Sequence, residues 1–222
     1  NDFYRDDAGN LWVICTQKNT KAPLALKYDG ANWTSYNLNN LGLPSGHTPY
    51  KTFVAPSGRI WSILEPGYSL YEYDWNSWQE YKFSLDPLPN NFVDDVAFDA
   101  QQRIWFGGYK TLTRFDGLNW KSYSAAERGL NLAGFWLASL SIDPQDGSLW
   151  MAFNHNNIDP IGFGRYNTLE GFSLFPTPSG HEVFRVLPLP GGRRWVVGVS
   201  ALGYFNGLTW TWYNSANAPF LT

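Results

Sequence analysis

The sequence predicts an all-β chain, a five-bladed β-propeller with four antiparallel strands per blade, and three observations carry that prediction. First, Trp12, Trp61, Trp105, Trp150 and Trp195 recur at intervals of 49, 44, 45 and 45 residues, dividing the 222 residues into five units of about 44. Second, each unit carries a later aromatic turn, with its closing aromatic 15 to 22 residues beyond the marker Trp. Third, almost no stretch shows helical periodicity, while short alternating runs bounded by Gly, Asn and Asp recur throughout.

Each marker Trp follows a turn and opens a strand, B: Gly9-Asn10-Leu11-Trp12, Gly58-Arg59-Ile60-Trp61, Gln102-Arg103-Ile104-Trp105, Gly147-Ser148-Leu149-Trp150 and Gly192-Arg193-Arg194-Trp195. Strand A precedes that turn, at Lys51-Thr52-Phe53-Val54, Val96-Ala97-Phe98, Ser139-Leu140-Ser141-Ile142 and Phe184-Arg185-Val186-Leu187, with the first unit entering its own strand A near Phe3. Strand C runs into the second turn, where Asp29-Gly30, Asp116-Gly117 and Asn206-Gly207 are strong hairpin signals. Strand D then carries aromatics near both ends, as in Trp33-Thr34-Ser35-Tyr36 and Trp120-Lys121-Ser122-Tyr123, which suits a half-buried pleated surface. One domain over 1–222 is expected, with blades over about 1–38, 50–83, 94–124, 136–175 and 182–214. The spacing from strand D to the next strand A is 17 residues from Tyr36 to Phe53 and again from Tyr81 to Phe98, and the two termini together supply 13, so a closed ring is expected.

Composition narrows the function classes. Twelve Trp, 13 Tyr and 15 Phe make 18% of the chain, against 16% charged residues, which excludes disorder, coiled coil and collagen. A net charge of -3 offers no basic surface for a phosphate backbone or an anionic leaflet, so neither nucleic acid nor direct membrane binding is expected. The lone Cys15 cannot form an internal disulfide. The chain opens at Asn1 without initiator Met or signal-like segment and reads as a mature or trimmed fragment.

The repeats resemble those of the two-component regulator propeller family, whose pattern joins a Gly-x-Leu-Trp turn and strand, a later Tyr or Phe with Asp-Gly, and a Leu-Pro-Ser or Leu-Pro-Asn loop. Leu43-Pro44-Ser45 and Leu88-Pro89-Asn90-Asn91 fit that loop, and Gly129-Leu130 keeps part of it. Propellers of that family are typically larger, beside a membrane helix and signalling domains; these 222 residues supply five repeats. The resemblance implies a non-enzymatic, monomeric recognition domain in the periplasm or outside the cell, binding a small polar or carbohydrate ligand or a protein.

In a propeller the D to A and B to C loops share one face, and variable side chains on a rigid frame usually carry binding. That face holds the candidate ligand-binding residues. His47 and His181 occupy matching Pro-Ser-Gly-His places, and Asn154, His155 and Asn156 open the extended B to C loop of blade 4. No metal-ligand spacing accompanies the histidines, so no metal or cofactor is expected, and repeat-inherited turn residues are the favoured reading. Asp94 and Asp95 at the start of strand A in blade 3, with Asp2 and Glu182, place carboxylates near the channel mouth, while Tyr50 and Ala138 stand at the matching places in blades 2 and 4. Paired carboxylates suit glycoside hydrolysis, but structural or weak cation-binding use is favoured here. A lectin-like module with one sugar site per blade is the other alternative. Nine Trp sit at the two markers and are expected in the core, leaving Trp75, Trp136 and Trp212 as candidates for stacking on a sugar; Trp136, placed just before strand A of blade 4, is preferred.

Overall fold

The computed structural model describes residues 2–17, 22–65, 69–82, 93–108, 111–123, 135–155, 162–175, 183–199 and 201–218. They form five four-stranded antiparallel sheets in simple up-and-down order, the blades of a five-bladed β-propeller. Blade 1 is β1 (Asp2–Arg5), β2 (Leu11–Thr16), β3 (Pro23–Tyr28) and β4 (Trp33–Asn37), and blade 2 is β5 (Thr48–Val54), β6 (Ile60–Glu65), β7 (Ser69–Tyr73) and β8 (Trp78–Tyr81). Blade 3 is β9 (Val93–Phe98), β10 (Ile104–Gly108), β11 (Thr111–Phe115) and β12 (Trp120–Ser122). Blade 4 is β13 (Phe135–Ile142), β14 (Leu149–His155), β15 (Phe163–Asn167) and β16 (Gly171–Phe175), and blade 5 is β17 (Val183–Leu189), β18 (Arg193–Gly198), β19 (Ala201–Phe205) and β20 (Trp210–Asn214). By contact density the chain divides into two compact units, Asn1–Pro87 with blades 1 and 2, and Leu88–Thr222 with blades 3 to 5.

The repeat is kept at the level of register. Trp12, Trp61, Trp105, Trp150 and Trp195 pair across their sheets with Tyr4, Phe53, Ala97, Ser141 and Leu187 respectively. A period-2 strand that slips by one residue would turn these rings to the wrong face, so the marker Trp pins each blade. The C to D turns are held by side chains. Asp29, Asp74 and Asp116 each accept two backbone N–H bonds from the residues two and three places on, at 2.7 to 3.0 Å, and Asn206 does the same at 2.8 and 2.9 Å. The residue after each of these turns left-handed, which Gly30, Gly117 and Gly207 do freely; in blade 2 that place is taken by Trp75, at φ 75°.

In the first unit Trp12, Ala25, Leu38, Val54, Ile60 and Tyr73 form one buried cluster shared by blades 1 and 2. In the second, Trp105, Leu112, Tyr123, Leu137, Leu140 and Met151 join blades 3 and 4, and Trp150, Phe163, Val183, Val186 and Val196 join blades 4 and 5. Each fully buried large side chain contributes roughly 1.5–3 kcal/mol. The expectation that all nine marker Trp lie in the core holds for Trp12, Trp61, Trp105 and Trp150, whereas Trp33 is 58% exposed, stacked on Tyr28 at 5.0 Å. Trp212 is a packing residue: it stacks on Trp210 at 5.5 Å and lies over Gly203, where a Cβ would come within 2.8 Å of the indole.

Candidate functional site

Up-and-down order places the D to A and B to C connections of every blade at one end of its strands and the A to B and C to D turns at the other. At the first end, strand A is built alike in blades 2 to 5. Its pairing with strand B slips by one residue opposite the second and third residues after the marker Trp, leaving Tyr50, Asp94, Ala138 and Phe184 as the extra residues of four β-bulges. A bulge adds local twist and re-aims a side chain, and it is a recurrent device at rims and sites. The residues so placed share no chemistry: a phenol, a carboxylate, a methyl and a phenyl group. Tyr50 and Phe184 are exposed, at 36% and 43%, and Asp94 is exposed as well.

A second repeated position lies two before the residue facing the marker Trp, directly after the bulge in blades 2 to 5: Asp2, Lys51, Asp95, Ser139 and Arg185. These side chains tie neighbouring blades. In the first unit Lys51 Nζ lies 3.1 Å from Asp2 Oδ2. In the second, Asp95 accepts the backbone N–H of Leu140 in the next blade at 2.8 Å, and the Arg185 guanidinium reaches the same oxygen at 3.8 Å while donating to Ser139 Oγ at 3.3 Å. Asp95 is therefore held in contacts that join blades 3, 4 and 5. Lys51, Ser139 and Arg185 were missed, although aligning the five repeats on their Trp would have found them.

The other expected residues divide three ways. His47 immediately precedes β5, its Nδ1 3.3 Å from the Ser45 carbonyl and its ring edge-on to Tyr71 at 6.1 Å, which suits a turn residue. Asn154 and His155, expected in a loop, belong to β14, where their backbones pair with Trp136 and Phe135. Trp136 correspondingly lies within β13 rather than before strand A, because the blade 4 hairpin runs longer than its counterparts; for these three the description extends to the backbone. Asn156, His181 and Glu182 lie outside the described residues. Among the described residues no group of three or more His, Cys, Asp or Glu is arranged to hold a metal ion.

At the opposite end, the A to B turns of blades 1 and 3 carry an Asp that caps the marker indole. Asp6 Oδ2 accepts Trp12 Nε1–H at 2.8 Å and Asp99 Oδ2 accepts Trp105 Nε1–H at 2.9 Å. The hydrogen bonds from Trp12 and Asn10, with Lys27 nearby, hold the Asp6 carboxyl below its ordinary value against the opposing effect of burial. In blade 4 the interval from Asp143 to Trp150 is seven residues, not six, and the buried Trp150 Nε1 has no hydrogen-bond partner. Arg194 of blade 5 covers that indole instead, its guanidinium 4.2 Å from the ring centroid. The same longer turn borders a pocket of about 150 Å3 between blades 3 and 4, lined by Asp99, Gln101, Arg103, Trp105, Asp146 and Tyr166 among others.

Residues 87–110, from the Leu88-Pro89-Asn90-Asn91 loop through the third marker strand, match the family model described as two component regulator propeller. That match covers 24 of the 222 residues. No curated protein matches it. Among solved structures, the five repeats are similar in fold to the extracellular domain of BT3049 from B. thetaiotaomicron, described as a hybrid two component system (TM-score 0.65, 15% identity, covering 97% of this chain but 28% of that one). They are also similar to a virginiamycin B lyase from Staphylococcus aureus (TM-score 0.65, 15% identity, 96% of this chain, 68% of that one). A GH74 enzyme from Niastella koreensis is a third (TM-score 0.64, 16% identity, 93% of this chain, 36% of that one). An extracellular domain of a two component system and two enzymes thus share this architecture, and identities of this size speak for the fold alone. No described helix is long and apolar enough to cross a membrane.

Proposed function

We propose that these regulator-propeller repeats form a non-enzymatic recognition domain, extracytoplasmic like the sensor domains they resemble, which binds one small polar or carbohydrate ligand, or a protein, on its D to A and B to C face. The observation that carries this reading is the set of three equivalent bulges in the second unit with three different side chains, Asp94, Ala138 and Phe184. A constant backbone device with varied chemistry suits a single ligand of irregular surface. A lectin with one equivalent sugar site per blade would need like residues at like places. Hydrolysis is disfavoured because Asp95, one of the two carboxylates it would use, is engaged by the Leu140 N–H and the Arg185 guanidinium of neighbouring blades.

Calorimetry following a glycan and protein screen tests the reading. One ligand per chain is expected, with loss of affinity in Asp94→Ala and Phe184→Ala variants that remain folded. Near-five stoichiometry would indicate the lectin instead. Turnover of any glycoside that disappears in Asp94→Asn or Asp95→Asn would establish the enzyme, and undiminished binding by both alanine variants would reject the face.

A further inference from the structure

Wherever two blades pack within a unit, the same two faces meet. Directly opposed residues of antiparallel strands share a face, so register sorts each sheet into a side with the marker Trp and a side with the residues before and after it. At the junction of blades 1 and 2, Trp12, Ala25 and Tyr36 lie against Val54, Ile60 and Tyr73. At blades 3 and 4, Trp105, Leu112 and Tyr123 lie against Leu140, Leu149 and Met151. At blades 4 and 5, Trp150, Ala152 and Phe163 lie against Val183, Val186 and Val196. At all three junctions the marker side of one blade covers the opposite side of the next.

The opposite side of blade 1 is open to solvent. Arg5, Leu11, Tyr28 and Trp33 stand there in one cross-strand row, and Phe3, Val13, Leu26 and Ser35 in the next. Leu11 is 38% exposed, whereas its counterparts Ile60, Ile104 and Leu149 are at most 2% exposed. Phe3 is 69% exposed, whereas Thr52, Val96, Leu140 and Val186 at the same place are buried. Blade 5 shows the complementary feature on its marker side, where Leu187, Trp195 and Tyr204 form one row. Trp195 is only half-buried, although the other four marker Trp are buried, and Leu187 is 39% exposed. Contiguous open apolar faces of this kind mark interaction surfaces.

We infer that the open side of blade 1 is a docking surface for a second copy of this chain, which seats the marker side of its blade 5, with Leu187 and Trp195, over Phe3 and Leu11. The junctions themselves set the occupant. The same side of blades 2, 4 and 5 is covered each time by a marker-Trp side, and blade 5 presents such a side to solvent. Because the two faces differ, the contact is head-to-tail, and a pair keeps one open face at either end for ring closure or further growth. The contact uses the sides of the blades rather than the bulged rim, so it does not depend on ligand binding there.

Sedimentation equilibrium of the whole chain tests this. Wild type should exceed the mass of one chain above about 10 µM, within the weak range for a packed interface. Leu11→Lys and Leu187→Lys, one on each face and both at exposed positions, should each sediment as one chain with unchanged thermal unfolding. Mixed in equal amounts they should form a pair and nothing larger, because Leu11→Lys keeps an intact blade 5 face and Leu187→Lys an intact blade 1 face. Phe3→Lys, at the more exposed place, repeats the test if Leu11→Lys lowers stability. Wild type that stays a single chain up to about 200 µM would overturn the inference, including a monomer that covers blade 1 with its own blade 5. Association that survives in either variant alone would overturn it too, since like faces would then be pairing, and so would a mixture that does not pair.

Discussion

Asp99 accepts the indole N–H of Trp105 at 2.9 Å in a site where both side chains are buried, and the same carboxylate also takes the backbone and guanidinium N–H groups of Arg103. Four hydrogen bonds onto two oxygens, counting that from Gln101 N, saturate its lone pairs. Removing it strands a buried indole donor and an arginine at once. Asp99→Ala should therefore lower unfolding stability by about 2–4 kcal/mol, read as a shift in the urea midpoint at unchanged slope. Trp150→Phe is the contrast. Its N–H has no hydrogen-bond partner, so only the ring's size changes, and the loss should stay below that of Trp105→Phe. The reverse order would mean the indole caps contribute nothing.

The link from Asp95 to Arg185 makes a second case, because its two ends differ in what they leave behind. Asp95→Ala strands the Leu140 N–H, for about 1–3 kcal/mol. Arg185 is 54% exposed at the side chain and 3.8 Å from its partner, so Arg185→Ala should cost less than about 1 kcal/mol and the difference should shrink with added salt. Equal losses from the two variants, measured by denaturant titration at low and high salt, would contradict this.

Trp75 sets backbone strain against ring packing. A left-handed non-glycine residue costs about 1–3 kcal/mol, while its three aromatic neighbours return roughly 0.5–1.5 kcal/mol each in addition to buried area. Trp75→Ala keeps the strain and loses the rings, so it should be the least stable, by about 2 kcal/mol. Trp75→Gly loses the rings but relieves the strain and should fall between Ala and wild type in thermal denaturation. A Gly variant less stable than the Ala variant would reverse the argument.

Tyr81 supplies a pH dependence. Burial first, then the bond its hydroxyl donates to Glu72 at 2.9 Å and the charge of that carboxylate, push the phenol from 10.0 to about 12. The folded chain keeps a proton that the unfolded chain releases near pH 10. Stability from this group is complete below that pH and is lost as pH rises toward 12. Tyr81→Phe should therefore show a shallower decline in stability over that window, with the remainder contributed by Tyr71 and Tyr123, whose phenols burial also raises. An unchanged slope in chemical denaturation across the same pH series would count against the Glu72 contact.

Strand order, blade number and register were legible in the sequence because each rests on a local, repeated cause. A Trp at fixed spacing sets which face is buried, and an Asp or Asn four residues before strand D closes its own turn through short-range hydrogen bonds. The site was legible only in part. Asp94 and Tyr50 could be placed at equivalent positions, but that they are bulged residues depends on how strand A slips against strand B, which no single strand encodes. That Asp95 belongs to structure depends on a backbone N–H 45 residues away in the next blade. Trp75 and Trp212 read as free platforms in the sequence and are occupied by neighbouring rings and by the bare backbone of Gly203. The sequence by itself determined the blades, since periodicity and turn chemistry act within about 45 residues. Only the tertiary structure decided which side chains are engaged between blades, since that depends on residues one or more repeats apart meeting at a few ångströms.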